Sequence, residues 1–206
     1  MTTIKICGLT TVEATQAAID AGADYIGFVF APSKRQIQAT AVACLLQQVT
    51  RPKTVKTVGV FVSPTRELLL KTAKVASLDF VQIHGDLPDL TDFPLPVIAA
   101  QGVEEKTTRY QTSADFLLLD APPTQYQGGN GQPFDWSLIH PENIPREKLW
   151  LAGGLTIQTV AAAIRYFQPL TVDVSSGVET NGQKDLKKIH AFCQAVKEET
   201  YVSRTE

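Results

Sequence analysis

The stretch VKTVGVFVSPTRELLLKTAKVASLDFVQIH, residues 55–84, decides the fold. VKTVGVFV (55–62) is rich in β-branched residues and reads as a strand. SPTRELLLKTAKVA (63–76) opens with Ser63, Pro64 and Glu67, which predicts a helix with Ser63 as its cap. DFVQIH (79–84) is a second apolar strand. Near-continuous apolar strands mean that both faces are covered. A helix between two such strands makes a parallel pair.

The same alternation extends both ways. Upstream lie a strand at IKICG (4–8), a helix at TVEATQAAIDAG (11–22), a strand at DYIGFVF (24–30) and a helix at ATAVACLLQQV (39–49). Thr10-Thr11 supplies a cap for the first helix and Gly22 a stop. Downstream lie strands at PVIAA (96–100), DFLLLDA (115–121), KLWLAGG (148–154) and LTVDVSSG (170–177). Helical segments follow at 103–111, 134–139, 156–167 and 185–199. Eight strands, each followed by a helix or a helix-length segment, predict an α/β fold: a single (β/α)8 TIM barrel over 1–206, with no linker or second domain. An open doubly wound sheet fits less well. It usually carries fewer strands, and no GxGxxG follows the first one.

Bulk composition narrows the function. The 206 residues are 44% hydrophobic and 19% charged, which suits a globular core and excludes a disordered chain. A formal charge of −2 gives no electrostatic case for nucleic-acid or membrane partners. No basic segment precedes an apolar run, and no run approaches membrane-spanning length, so a cytoplasmic protein without a signal peptide is expected. Cys7, Cys44 and Cys193 are too far apart for a zinc motif or a disulfide framework. No metal site is called for. A monomer is the simpler expectation, with a dimer left open.

In such barrels the working residues sit at the C-terminal ends of strands and in the loops that follow. Strand 1 ends in Cys7, the loop after strand 2 carries Arg35, strand 4 carries Gln82 and His84, and strand 6 ends in Asp120. The last two strands lead into Gly153-Gly154 and Ser175-Ser176-Gly177. Glycine-rich turns on consecutive final strands bring backbone N–H groups close to an anion, the usual phosphate site of the fold. A carboxylate at the rim of an apolar barrel ionises reluctantly, so the Asp120 pKa is expected above about 3.9. Strand alternation puts Lys5 on the face of Cys7, roughly 6.6 Å away, where it either favours a thiolate or lines the barrel floor. His84 reads as a wall or binding residue rather than a base.

Taken in order, KICGLT, VGVFV, VQIHG, LLLD followed by GGNGQPFDW, LAGGLT and VDVSSGVE resemble the phosphoribosylanthranilate isomerases of tryptophan biosynthesis, over residues 4 to about 180. The resemblance implies a (β/α)8 barrel that converts N-(5-phosphoribosyl)anthranilate to 1-(2-carboxyphenylamino)-1-deoxyribulose 5-phosphate by an Amadori rearrangement without a cofactor. It implies Cys7 as general base, Asp120 as general acid and Arg35 on the anthranilate carboxylate. Gly153, Gly154, Ser176 and Gly177 would then hold the phosphate. Gln82, His84, Gly129 and Asp173 would contact the small-molecule substrate. Two departures stand out: Gly128-Gly129-Asn130-Gly131 where the family commonly has GGTG, and Thr156-Ile157 where the next helix often begins with Asn-Pro or Thr-Pro.

Rival readings make different demands. A ribulose-phosphate epimerase would want paired carboxylates and metal-binding histidines at strand ends, and only His84 qualifies. An indole-glycerol-phosphate synthase would want lysines at the barrel mouth. A dual-substrate isomerase acting also on the related histidine-pathway ribotide is a variant of the favoured reading. A barrel that only binds phosphate would have no need of an intact Cys7–Asp120 pair.

Overall fold

The computed structural model describes residues 1–102, 113–120 and 144–202, with side chains described to Thr200. Eight parallel strands close into a barrel in sequence order: β1 (Thr3–Cys7), β2 (Tyr25–Val29), β3 (Lys56–Val62), β4 (Phe80–His84), β5 (Val97–Gly102), β6 (Phe116–Asp120), β7 (Leu149–Ala152) and β8 (Thr171–Val174). The seam is the pairing of β1 with β8, in which Lys5 lies opposite Asp173. Helices α1 (Val12–Asp20), α2 (Ala39–Leu46), α3 (Arg66–Ala76), α4 (Val160–Phe167) and α5 (Leu186–Val202) pack outside. The larger apolar core lies between strands and helices. The smaller one fills the barrel itself. Among the described residues no helix is long and apolar enough to cross a membrane.

Boundaries differ from expectation where local hydrogen bonds take over. The cap of α3 is Thr65, whose hydroxyl accepts from the Leu68 N–H, not Ser63. Ser63 has a φ of 40°, and its Oγ instead accepts from the Asp86 N–H. Thr11 caps α1 as expected, accepting from the Ala14 N–H. Helix α4 begins at Val160 rather than 156, because the Thr159 hydroxyl accepts from the Thr156 N–H and closes a separate turn. Helix α2 ends at Leu46, three residues before the expected end. The helices expected at 103–111 and 134–139 lie outside the described residues.

A two-stranded hairpin after β8 was not anticipated: β9 (Glu179–Thr180) and β10 (Gln183–Lys184). Its turn is Asn181-Gly182, both at positive φ (53° and 78°), the combination that two-residue hairpins favour. The Asn-Gly dipeptide was the available signal.

A short repeat also organises the barrel floor. Asp24-Tyr25, Asp79-Phe80 and Asp115-Phe116 stand at the starts of β2, β4 and β6. Each aspartate accepts the backbone N–H of the preceding odd strand, from Ile4, Thr57 and Val97, all at 2.8 Å. The three rings turn inward around Trp150, with centroids 4.6, 6.4 and 5.8 Å from its own. Three aromatics from alternate strands thus plug the closed end, the layering usual for this fold. Asp24→Ala strands the Ile4 N–H at a buried position. It should lower unfolding free energy by about 1–3 kcal/mol, measured by urea denaturation.

Candidate functional site

The open end of the barrel holds a cavity of about 350 Å³. Cys7, Gln82, His84, Asp120 and Asp173 reach it from the strands, and Arg35 from the loop after β2. The turns after β7 and β8 bring Gly153, Gly154, Ser176 and Gly177 to its edge. Every sequence-predicted site residue therefore borders one cavity except Gly129, which lies outside the described residues. The inward positions follow from strand period: Cys7 is two residues beyond Lys5 on β1, and His84 two beyond Gln82 on β4.

The two glycine turns fit each other closely. A Cβ on Gly177 would run into the Leu155 carbonyl oxygen, so only glycine lets the loop after β8 pack against the loop after β7. Gly153 and Gly154 adopt positive φ (86° and 62°), and Ser176–Val178 forms one turn of 3-10 helix.

Lys5 is the residue whose weight the sequence understated. It is fully buried beneath Cys7, and its Nζ donates to Asp173 Oδ2 at 2.8 Å. Burial alone would lower its pKa, but the Asp173 carboxylate and then Cys7 outweigh that and hold it above its ordinary value. The second Asp173 oxygen, Oδ1, is buried with no protein partner, and so is Gln82 Oε1. Both residues line the cavity, so both can accept hydrogen bonds from ligand hydroxyls. Gln82 Nε2 lies 2.9 Å from His84 Nε2. With the amide assigned in this orientation it donates, which makes His84 the Nδ1–H tautomer. Burial, and next the Lys5 charge, pull the His84 pKa below its usual value, so the ring is neutral near pH 7.

Asp120 and Cys7 are both pushed toward their protonated forms. Burial, with the Asp173 charge adding to it, raises the Asp120 pKa to about 6, as expected. Burial also raises the Cys7 thiol, and the Lys5 charge only partly opposes this. Of the two roles left open for Lys5, its charge does act toward the thiolate, but desolvation is the larger effect.

Arg35 is not a free clamp. Its Nε and Nη2 donate to the two Glu179 oxygens at 2.6 and 2.8 Å. Its stem lies over Gly8 (φ 75°), where a Cβ would come within 2.5 Å of Arg35 Cδ. Gly8 thus serves the arginine as well as the turn. Removing Lys5 as Lys5→Met leaves the Asp173 carboxyl group buried without its cation. It should cost about 3–5 kcal/mol in urea unfolding, and adding Asp173→Asn should recover part of that loss.

A family model described as N-(5'phosphoribosyl)anthranilate (PRA) isomerase matches residues 4–195. The chain is 47% identical over 199 residues to the N-(5'-phosphoribosyl)anthranilate isomerase of Streptococcus mutans serotype c, covering 96% of this chain and 100% of that one. A crystal structure of phosphoribosyl anthranilate isomerase from Thermotoga maritima superposes with a TM-score of 0.80 at 37% identity, covering 96% of this chain and 100% of that one. Another, of such an isomerase in complex with reduced 1-(o-carboxyphenylamino)-1-deoxyribulose 5-phosphate, gives a TM-score of 0.78 at 34% identity, with the same coverage of 96% and 100%.

Proposed function

The chain belongs to the N-(5'-phosphoribosyl)anthranilate isomerase family, and from that premise we propose that its barrel mouth carries out the Amadori rearrangement of tryptophan biosynthesis with Asp120 as acid and Cys7 as base. The supporting observation is the meeting of Cys7 (β1) and Asp120 (β6) at one cavity, from strands three apart around the barrel. Groups so placed can reach different sides of a single sugar.

In this reading the turns at Gly153-Gly154 and Ser176-Gly177 take the phosphate through backbone N–H groups. Arg35 takes the anthranilate carboxylate. Asp173 and Gln82 accept from sugar hydroxyls through their unpartnered oxygens. Neutral His84 holds the Gln82 amide. Asp120 gives its proton to the furanose ring oxygen as the C1–O bond breaks, and the anthranilate nitrogen lone pair forms the C=N bond. Cys7, as thiolate, takes the proton from C2, and the electron pair moves through C1 to nitrogen. The enolamine then becomes the ketone when its C2 hydroxyl loses a proton and C1 gains one. Lys5, beneath Cys7, offsets the charge of the thiolate.

Cys7→Ser and Asp120→Asn should each lower kcat by about two orders of magnitude or more, with the circular dichroism spectrum unchanged. Turnover is followed as loss of fluorescence of freshly generated phosphoribosylanthranilate, and a near-normal rate in either variant removes that residue from its role.

The pH dependence has a definite sign. These roles need Asp120 protonated and Cys7 ionised. Asp120, at about 6, gives up its proton more readily than the buried thiol does. The competent form is therefore the minor one of two singly protonated forms, and its share stays constant between the two pKa values. Accordingly kcat/KM should be flat above about pH 6 and fall toward tenfold per pH unit below it, where the doubly protonated form takes over. In Asp120→Asn the residual kcat/KM should instead keep rising through pH 6 until Cys7 titrates. A plateau that survives in this variant assigns the break to another group.

A further inference from the structure

Glu179 stands just outside the proposed chemistry, yet its side chain is only 6% exposed and it faces three cations. Arg35 binds both of its oxygens, Lys184 Nζ donates to Oε1 at 2.8 Å, and Lys34 Nζ lies 3.7 Å from Oε2. Burial pushes its pKa up, but the hydrogen bonds from Arg35 and Lys184 win and bring it down to about 2. Glu179 is therefore ionised at any working pH.

The stereochemistry of the pair matters more than its existence. Glu179 takes the Nε–H and one Nη2–H, which is one edge of the guanidinium. A guanidinium carries five N–H groups. Of the three left over, one on Nη1 and one on Nη2 form the adjoining edge, which suits a second carboxylate in the same two-pronged way, while the other Nη1–H points back toward the Cδ side. Arg35 borders the 350 Å³ cavity, so a ligand held there lies beside the arginine.

Glu179 is itself held in place. Lys184, its register partner across the β9–β10 hairpin, also donates to the Ser175 carbonyl at 2.8 Å and to Ser175 Oγ at 3.2 Å. Ser175 Oγ in turn donates to the Cys7 carbonyl at 3.1 Å. One chain of contacts thus runs from the strand end that carries Cys7, through the hairpin, to Arg35.

We propose that Glu179 is a positioning residue for substrate recognition: it fixes the Arg35 guanidinium so that its open edge receives the anthranilate carboxylate. This inference rests on the reading of Arg35 as the carboxylate ligand. An unpaired arginine has to be ordered when ligand binds. Prior ordering by Glu179 is worth about three- to tenfold in affinity for a ligand that uses the arginine, and nothing for one that does not.

Calorimetric titration of the full chain separates these cases with two probes. One is reduced 1-(o-carboxyphenylamino)-1-deoxyribulose 5-phosphate, and the other is the same compound made from aniline, without the carboxylate. Glu179→Gln should weaken the first probe by about three- to tenfold and leave the second unchanged. Glu179→Asp keeps the charge but shortens the reach, and should give a smaller loss confined to the first probe. Equal weakening of both probes would reduce Glu179 to a structural role and overturn the proposal. Tighter binding of the first probe would make Glu179 a competitor for Arg35 and overturn it too. If Glu179→Gln does not fold, as far-UV circular dichroism reports, Glu179→Asp decides by the same comparison. Arg35→Ala tests the underlying reading: it should abolish the wild-type preference for the carboxylate-bearing probe. A preference that survives in Arg35→Ala refutes the role of Arg35 and the inference with it. A preference lost in Arg35→Ala but intact in both Glu179 variants refutes the inference alone.

Discussion

The ion pair between Lys5 and Asp173 lies on the seam where the first and last strands close the barrel, between residues directly opposite in register. Two charges so far from water gain little net stability from each other, since desolvation offsets much of their attraction. Their value is in what a mismatch would cost. A register slip between β1 and β8 would leave an ammonium and a carboxylate buried apart. Other contacts repeat the same join along the seam: the hydroxyls of Thr3 and Thr171 at 2.8 Å, and Ser175 Oγ on the Cys7 carbonyl. The pair thus ties barrel closure to the position of Cys7, one layer above it.

That arrangement also sets the electrostatics of the mouth. Lys5 and Asp173 largely cancel each other, so the two titratable groups above them, Cys7 and Asp120, are governed mainly by burial. A thiol and a carboxyl respond alike to burial, both being driven toward the neutral form. The difference between them comes from their intrinsic acidity, which places Asp120 near 6 and Cys7 well above it. The cations on the rim, Arg35 and Lys184, are held by Glu179, and the pull of Lys184 toward the thiolate is a smaller effect than the burial that opposes it. The barrel is thereby divided by function. Aromatic rings seal the floor, a neutralised pair occupies the middle, and the polar groups with unfilled hydrogen-bonding capacity face the open end.

Much of this was legible in the chain. The alternation of apolar strands with helical segments identified eight staves, and their ends marked Cys7, Asp120 and the glycine turns within a residue or two, because period and turn chemistry are local properties. Two local signals were also present but passed over. The Asn181-Gly182 dipeptide marks the hairpin that carries Glu179 and Lys184. The recurrence of Asp followed by an aromatic residue at positions 24, 79 and 115 marks the even strands of the floor. The Ser63 cap was misplaced by two residues because Ser63 and Thr65 both suit the position, and only the observed hydrogen bonds choose between them.

The sequence by itself determined the order of the elements, the closed parallel architecture they imply, and which residue types stand at the open end. The tertiary structure alone decided the partners. Lys5 meets Asp173 across 168 residues of chain, and Arg35 meets Glu179 across 144. No periodicity reports such pairings, because they exist only once the last strand has closed against the first. The proton affinities of Cys7 and Asp120 belong to the same class. They depend on how completely water is excluded and on which charges lie nearby, and both are properties of packing rather than of residue type.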